Sequence, residues 1–331
     1  MIRHWMTDSW LHFAHRMRNI PVLVGLIALI SCSQPETSLR VATIPWPGYE
    51  SLHLAQNLSY FEPAQIRLTE MSNASQVSLA LRNGTVEAAF TTLDEALDLM
   101  QDGVDLRVIL VADISRGADV VMARPGIATL QALRGKRIAV ENAAVGAIML
   151  DAMLEAAGMK ASDVQLISKT VDQHETAYQS GAVDAVITFE PVRSALLKRG
   201  AHILFDSSNV PERIMDVLVV RADQMAGHSA ALKALVAAHF RALDYQARQP
   251  QEAARIIAPF LGVHAAEVAG LYSGITIPGL VENHAFLSGA QPRLKTVAAS
   301  LSDLMVRHKL LKHAVGTENL VEPMFLPVNQ Q

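Results

Sequence analysis

The stretch Gly84-Thr-Val-Glu-Ala-Ala-Phe-Thr91 recurs with conservative changes as Gly181-Ala-Val-Asp-Ala-Val-Ile-Thr188. The second copy begins 97 residues after the first, because 181 − 84 = 97. The same spacing separates Arg40-Val41-Ala42 from Arg137-Ile138-Ala139, since 137 − 40 is again 97. Each matched stretch predicts a β-strand that enters a loop. Two matches at one spacing indicate two structurally equivalent lobes.

Strand and helix patterns alternate around these repeats. Predicted strands cover Leu39–Ile44, Gln65–Glu70, Val86–Thr91, Leu106–Ala112, Arg137–Glu141, Val164–Ile167, Ala185–Thr188 and His202–Phe205. Predicted helices cover Leu52–Leu58, Gln76–Arg82, Asp94–Met100, Val145–Ala157, Glu175–Gln179 and Val192–Arg199, and the chain is mainly helical from Ala230 onward. Such alternation favours βαβ units. The predicted fold class is therefore α/β, with two similar lobes, each a mostly parallel sheet flanked by helices.

Equivalent lobes place four loops around one cleft. In open α/β sheets, ligands bind beyond the carboxyl ends of the strands. The spacing of 97 pairs the loop Pro45–Glu50 with Asn142–Ala147, and the loop Thr91–Asp94 with Thr188–Pro191. Four such loops facing each other predict a cleft that encloses a small ligand by hinge closure.

The N-terminus has the pattern of a secretory signal. Ile20 to Ile30 is almost wholly apolar, which is too short to span a bilayer but typical of a signal-peptide core, and Arg16 and Arg18 precede it. The run ends in Leu29-Ile30-Ser31-Cys32, which resembles the lipobox of bacterial lipoproteins. The resemblance implies a signal peptide at 1–31, lipidation of Cys32 and a flexible tether at 32–38. A start at Met17 would give a signal of ordinary length, so the translation start is open.

Composition excludes several other functions. The 331 residues carry a formal net charge of −4 and contain no run of five Lys or Arg, which argues against a nucleic-acid partner. The chain has no Gly-x-Gly-x-x-Gly, Gly-x-Ser-x-Gly or His-Glu-x-x-His motif, so we expect no cofactor and no metal. His174-Glu175 comes nearest to a catalytic pair, and we interpret it as the start of a surface helix.

Several further stretches resemble the extracytoplasmic solute-binding proteins of ABC importers. The branch is the one that handles nitrate, sulfonates, taurine and thiamine-pyrimidine precursors. The stretches are Trp46-Pro-Gly-Tyr-Glu50, Thr91-Thr-Leu-Asp-Glu-Ala96, Val111-Ala-Asp-Ile-Ser-Arg-Gly-Ala-Asp119, Leu133-Arg-Gly-Lys-Arg137 and Thr188-Phe-Glu-Pro191. They lie between Arg40 and Arg221.

The resemblance implies two lobes joined by two crossover strands, near Ala118–Arg124 and Ile214–Arg221. Lobe 1 would comprise residues 39–122 and 216–331, and lobe 2 residues 123–215. The protein would be a monomer that is lipid-anchored at a membrane facing the periplasm or the cell exterior. Its partners would be a small-molecule ligand and an ABC permease.

The loops of both lobes contain the candidate ligand-binding residues, each with a structural alternative. Trp46 and Tyr49 form a platform for a planar or apolar ligand, or Trp46 fills the core of its lobe. Glu190 accepts hydrogen bonds from a ligand amine or complements a helix dipole. Asp216 contacts the ligand or pairs at the hinge with an Arg such as Arg213. The remaining candidates are Thr91, Thr92, Asp113, Ser115, Asn142, Gly146, Thr188 and Phe189.

The charge of the ligand is open at this point. Free N–H groups at the helix that begins between Asn142 and Gly146 would hold an anion. The carboxylates Glu141, Glu190, Asp113 and Asp216 instead favour a weakly cationic or neutral nitrogen-containing compound, which is the alternative that we prefer.

Two other functions use the same fold. One is a receptor that docks on a membrane-bound signalling protein, and neighbouring genes would distinguish it from an importer. The other is a thiamine-pyrimidine-synthase-like enzyme. Those enzymes depend on a cysteine-rich motif, whereas the single cysteine of this chain is Cys32.

The lipid anchor predicts a simple fractionation result. We expect Cys32→Ala to abolish acylation, so that the chain no longer incorporates labelled palmitate and no longer sediments with membranes in the processed form. A variant that stays in the membrane fraction at the wild-type size would contradict the anchor.

Overall fold

The computed structural model describes residues 38–62, 65–141 and 144–328. The predicted signal peptide, Cys32 and all of the tether except Ser38 lie outside the described residues, as does Asn142.

Strands and helices are numbered in chain order through the described part. The strands are β1 (Leu39–Thr43), β2 (Ile66–Glu70), β3 (Ala88–Thr92), β4 (Leu106–Ser115), β5 (Val120–Ala123), β6 (Arg137–Val140), β7 (Gln165–Ser168), β8 (Ala185–Thr188), β9 (His202–Asp206), β10 (Met215–Arg221) and β11 (Ile275–Thr276). The helices are α1 (Ser51–Asn57), α2 (Ala74–Arg82), α3 (Leu93–Gln101), α4 (Ala144–Ala157), α5 (Val171–Gln179), α6 (Val192–Lys198), α7 (Ser229–Arg248), α8 (Pro250–Ile257), α9 (Ala265–Leu271), α10 (Leu280–Leu287) and α11 (Arg293–Arg307).

Two separate sheets form the frame of the molecule. The first has the order β11-β4-β10-β3-β1-β2, and the second has the order β7-β6-β8-β5-β9. The strands β1, β2 and β3 are parallel, as are β6, β7 and β8, while β10 and β5 run antiparallel to their neighbours. We call the first sheet with its helices lobe 1 and the second lobe 2. The predicted α/β class with two lobes is confirmed.

Strand pairing follows the sequence repeat. Val41 pairs with Ala88 in lobe 1, and Ile138 pairs with Ala185 in lobe 2, so both partners shift by the same 97 residues. The partial order β2-β1-β3-β10 in lobe 1 matches β7-β6-β8-β5 in lobe 2. The sequence repeat therefore corresponds to a repeated strand order.

One ion pair is also repeated. In lobe 1, the backbone N–H of Arg40 donates to Glu87 at 2.7 Å, and its guanidinium binds the same carboxylate. In lobe 2, Arg137 makes the same two contacts with Asp184, at 2.9 Å from the backbone and 2.8 Å from Nη2. The Glu87 carboxylate thus ties the start of β1 to the residue before β3, and the Asp184 carboxylate ties the start of β6 to the residue before β8.

The chain crosses between the two sheets twice. The chain leaves the first sheet after β4 and enters the second at β5, then returns from β9 to the first sheet at β10. The predicted crossings near Ala118–Arg124 and Ile214–Arg221 contain β5 and β10. Because Val120 to Ala123 pair within the second sheet, the first change of lobe comes before Val120, earlier than the predicted boundary after residue 122.

The C-terminal third covers lobe 1. Helix α7 packs on α1, α10 packs on β4, and α11 packs on α3. In parallel sheets buried on both faces, strands become continuous apolar runs, and β3, β4 and β10 are almost wholly buried here. None of the helices in the described residues is long and apolar enough to cross a membrane.

Candidate functional site

A cavity lies between the two lobes, where the crossover strands meet. It contains about 430 Å³ of space not filled by atoms, including its mouth. Its lining comes from lobe 1, from the crossings and from lobe 2. The lining residues are Ile44, Trp46, Tyr49, Ala74, Val77, Phe90, Thr91, Thr92, Glu95, Asp119, Val145, Phe189, Ile214 and Asp216. The predicted interlobe cleft is therefore a partly enclosed chamber with contributions from both lobes.

Trp46 lines this chamber from the loop after β1. Its indole N–H donates to Oδ2 of Asp113 at 3.0 Å. Its ring meets the edge of Phe189 from lobe 2, with ring centroids 5.6 Å apart. A polar bond on one side and an aromatic contact on the other fix the orientation of the indole. Trp46 is thus both a buried part of lobe 1 and a wall of the chamber.

Gly48 makes the Trp46–Asp113 contact possible. A Cβ atom at this position would lie 1.7 Å from Oδ2 of Asp113 and 2.7 Å from the indole nitrogen of Trp46. No larger residue can therefore occupy position 48 unless the carboxylate moves. The short loop needs glycine because another side chain closely approaches its backbone.

Two buried carboxyl groups lie on adjacent strands beside the crossings. Asp113 on β4 is the register partner of Asp216 on β10. The hydroxyl of Tyr49 donates to Asp216, and the ring of Tyr49 stacks on Phe90 at 4.7 Å. Burial is the main cause that raises the pKa of both carboxyls, and in Asp216 the charge of Asp113 raises it further. The two neighbouring carboxyl groups therefore oppose each other's ionisation.

Glu95 places a free carboxylate oxygen at the chamber. Its Oε2 accepts from the Thr91 hydroxyl at 2.6 Å and from the Thr92 backbone N–H at 3.3 Å, which caps α3. Its Oε1 is buried and has no hydrogen-bond partner. Burial raises the pKa of Glu95. An unpartnered buried acceptor is costly, so a donor on a ligand would stabilise this side chain.

Asp119 lies just before β5, at the first crossing. Burial raises its pKa to about 7; the Ser115 hydroxyl lowers it, and the charges of Asp113 and Glu95 raise it. The Ser115 hydroxyl also lies 2.7 Å from that of Ser207 and accepts from the Asp119 backbone N–H. Hydroxyl groups therefore link the two crossings beside the chamber.

A second cavity adjoins the chamber on the side of lobe 2 and contains about 320 Å³ of space not filled by atoms, including its mouth. Its lining residues include Glu141, Gly146, His174, Thr188 and Phe189. The Nε2 of His174 lies 3.0 Å from the Lys169 carbonyl oxygen, to which it donates, so Nδ1 accepts from the Thr188 hydroxyl at 3.1 Å. Burial lowers the pKa of His174 to about 4, so the ring is neutral at physiological pH. The interpretation of His174-Glu175 as the start of a surface helix was wrong for His174, which is buried within α5.

Glu141 joins the beginnings of two helices from different lobes. Its Oε1 accepts from the backbone N–H and the hydroxyl of Ser75 on α2, at 3.2 and 2.8 Å. Its Oε2 accepts from the backbone N–H of Val171 on α5, at 3.1 Å. Nearby, the Asn73 amide donates to Asp172 across the same gap at 3.1 Å. The carboxylate of Glu141 thus occupies a position typical of a bound anion.

Three of the predicted site residues, Glu190, Asp113 and Ser115, do not line the cavities. Glu190 is fully buried and bound to Arg193 and to Ser194, so its contacts match the helix-capping alternative. Asp113 and Ser115 are not among the lining residues of the chamber but bind two residues that are. Asp113 accepts from the indole N–H of Trp46, and the Ser115 hydroxyl accepts from the backbone N–H of Asp119. Asp216 lines the chamber, but its partner is Tyr49 rather than Arg213.

The structure brings eight of the predicted residues to the cavity walls: Trp46, Tyr49, Thr91, Thr92, Gly146, Thr188, Phe189 and Asp216. It adds Glu95 and Asp119, which the sequence prediction did not include, and Glu141, which the sequence analysis named only as a carboxylate near the loops. Glu95 had a local signal, since it lies one helical turn after Thr91. Asp119 had none, because its neighbours across the chamber are distant in sequence.

A model of the NMT1-like family matches residues 33–262. Among curated relatives, a binding protein of Brucella abortus (strain 2308) is 26% identical over 155 residues, which is 46% of this chain and 49% of that protein. The aligned part thus spans about half the length of that relative. The taurine-binding periplasmic protein of Escherichia coli (strain K12) is 24% identical over 238 residues, covering 69% of this chain and 71% of that protein.

Solved structures share the fold at low identity. The alkanesulfonate-binding protein from Xanthomonas axonopodis pv. citri, bound to MOPS, superimposes with a TM-score of 0.73 and 18% identity, covering 86% of this chain and 98% of that one. A Candida albicans protein described as having the generic periplasmic binding protein fold gives 0.67 and 13%, covering 89% and 99%. A desulfurization enzyme gives 0.63 and 18%, covering 87% and 97%. These likenesses confirm the predicted fold, which binding proteins and an enzyme share.

The crowding at Gly48 predicts a large effect of a single methyl group. We expect Gly48→Ala to break the Trp46–Asp113 bond and to lower the free energy of unfolding by about 2 to 4 kcal/mol, since a buried carboxylate loses its donor. Gly270→Ala is the matched control, because a Cβ there, in α9, meets nothing within 4 Å. Denaturant unfolding measures both variants, and equal stability of the two would contradict the assigned contact.

The raised pKa of Asp119 predicts that replacing this residue increases the free energy of unfolding in a pH-dependent way. The folded state binds this proton more tightly than the unfolded state, so the stability that the group contributes is lost as the pH rises from 3.8 through about 7. We expect the stability of Asp119→Asn relative to wild type to increase from pH 5 to 7, by on the order of 2 kcal/mol, and to level off above. Asp303→Asn, on the exposed surface of α11, controls for the lost charge. A difference that does not change with pH would contradict the buried, protonated state.

Proposed function

Since the chain belongs to the NMT1-like family, whose model covers residues 33–262, we propose that it is the substrate-binding component of an ABC import system. In this proposal the protein captures a small solute between its lobes and delivers it to a permease. Cys32 anchors it to a membrane that faces the periplasm or the cell exterior. The observation that carries the proposal is the chamber, whose walls come from both lobes and from both crossings.

The contacts between the lobes support closure about the crossings. Trp46 meets Phe189, Ser75 binds Glu141, and Asn73 binds Asp172. On the outside, Lys198 of α6 pairs with Glu267 of α9, and His308 lies 2.6 Å from Asp151 of α4. All of these contacts join one lobe to the other. The crossings are the covalent links between the lobes, and the hydroxyls of Ser115 and Ser207 form a hydrogen bond between them. Opening would break the contacts and expose the chamber, as expected for capture by hinge closure.

The names of relatives support a transport role. The taurine-binding relative is named periplasmic, and we propose the same side of the membrane for this chain. A receptor that docks on a signalling protein would use the same closure, and neighbouring permease and ATPase genes would favour import over sensing.

An enzyme is the second candidate, because a desulfurization enzyme has the same fold. The hydrogen bond from Thr188 to His174 has the geometry of a nucleophile with its base. Two features argue against it. The lowered pKa of His174, about 4, makes the ring a weak base at neutral pH. The sequence also has no cysteine besides Cys32, and the described residues that line the chamber include no thiol.

Binding with closure is tested on the purified full-length protein. Mass spectrometry of the denatured protein should reveal a released small molecule. That compound should return unchanged after incubation, raise the unfolding temperature and reduce the radius of gyration in X-ray scattering. If no compound is released, the same readouts are applied with taurine, propanesulfonate, nitrate, propylammonium and benzamidinium.

Phe189→Ala should weaken binding by about tenfold, because it removes an aromatic wall and the contact with Trp46. Leu166→Ala, on the exposed surface of lobe 2, is the control and should keep wild-type affinity. A protein that neither binds nor closes with any of these compounds, or that converts one, would contradict the proposal.

A further inference from the structure

Resting on this solute-binding function, we propose that the chamber selects an organic cation, with an ammonium or amidinium group on a small apolar body, and rejects sulfonates.

The side chains around the two cavities that can carry a charge at neutral pH are all acidic. Their described lining residues include the carboxyl groups of Glu95, Asp119, Glu141 and Asp216, and include no Arg or Lys. The basic side chain in this lining is His174, which is neutral because of its lowered pKa. A sulfonate would enter a buried site without a positive side chain to compensate its charge, which is unfavourable.

The carboxyl groups also have free hydrogen-bonding capacity. Glu95 lines the chamber, and its buried Oε1 has no partner. The pKa values of Glu95, Asp119 and Asp216 are all raised, chiefly by burial. An ammonium or amidinium group would donate to these carboxyl oxygens and favour their charged form. A cation therefore supplies a donor for the unpartnered oxygen of Glu95.

The positions best suited to an anion are already occupied. The backbone N–H groups of Ser75, at the start of α2, and of Val171, at the start of α5, both donate to the carboxylate of Glu141. Arg193 is not among the described residues that line either cavity; its Nη1 is paired with Glu190 at 2.7 Å, and its buried Nε has no partner. An anionic ligand would have to displace one of these carboxylates, whereas a cation would not.

The apolar walls fit the same class of ligand. Trp46, Tyr49, Phe90 and Phe189 line the chamber together with the carboxyl groups. Aromatic faces attract cations, and the attraction is stronger where water is excluded. The combination of rings and carboxylates favours a positive head on an apolar body.

Pairs of probes that differ only in the charged head test this inference. Propylammonium is compared with propanesulfonate, benzamidinium with benzenesulfonate, and ethylenediammonium with taurine. Calorimetry at pH 8 measures the affinity of full-length protein for each, where Asp119 is ionised because its pKa is about 7. We expect the cation of at least one pair to bind at least about tenfold more tightly than its sulfonate.

Substitutions at Glu95 and Glu141 test whether these two residues cause the preference for a cation. Glu95→Gln keeps an oxygen for Thr91 and Thr92 but replaces the free acceptor with a donor, so it should weaken cation binding about tenfold or more. Glu155→Gln, on the exposed face of α4, removes the same charge and should change nothing. Glu141→Ala should strengthen sulfonate binding about tenfold by freeing the helix N–H groups. Glu141→Gln should give a smaller gain and serves if the alanine variant does not fold.

The outcomes separate this inference from the proposed function. Tighter binding of the sulfonates to wild type, or unchanged cation binding by Glu95→Gln, would overturn the cation assignment and leave solute binding intact. Unchanged sulfonate binding by both Glu141 variants would overturn the role of Glu141. Failure of every probe overturns the cation assignment, and the proposed function falls with it only if the closure and release experiments also fail.

Discussion

The contact between two buried carboxyl groups, Asp113 on β4 and Asp216 on β10, governs the centre of this molecule. Asp113 and Asp216 are register partners on these adjacent strands. They lie at the end of the first sheet where the crossings begin. Each acid has one aromatic donor, Trp46 for Asp113 and Tyr49 for Asp216. Because these rings line the chamber, the two acids beside the crossings also orient two of its aromatic walls.

Such an arrangement is costly for stability. Burial of Asp113, Asp216, Asp119 and Glu95 raises their pKa values, so each folds with its proton or bears an unfavourable charge. A chamber built only for stability would have apolar residues at these positions. Groups that weaken the empty fold are typical of binding sites, where a ligand restores the missing interactions. The concentration of acids at the crossings thus supports a ligand-dependent closed state.

Much of the fold could be predicted because the determining signals are local or repeated. Gly84 and Gly181 end helical turns with positive φ, and the strands that follow have the burial typical of parallel sheets. The repeated pairs Arg40–Glu87 and Arg137–Asp184 have the same sequence separation of 47 residues in both lobes. The boundary at the first crossing was harder to predict, because Val120 to Ala123 have the same apolar pattern whichever sheet they join.

The sequence by itself determined the α/β class, the equivalence of the lobes and the loops that meet at the cleft. Periodicity and spacing are properties of the chain, and strand ends must meet at one edge of a parallel sheet. Only the tertiary structure decided what each polar side chain binds. Glu190 and Glu141 both precede helices, yet Glu190 is neutralised within its own helix while Glu141 reaches Ser75 of the other lobe. That difference depends on which helix lies opposite, and such a neighbour is far away in sequence and close only after folding.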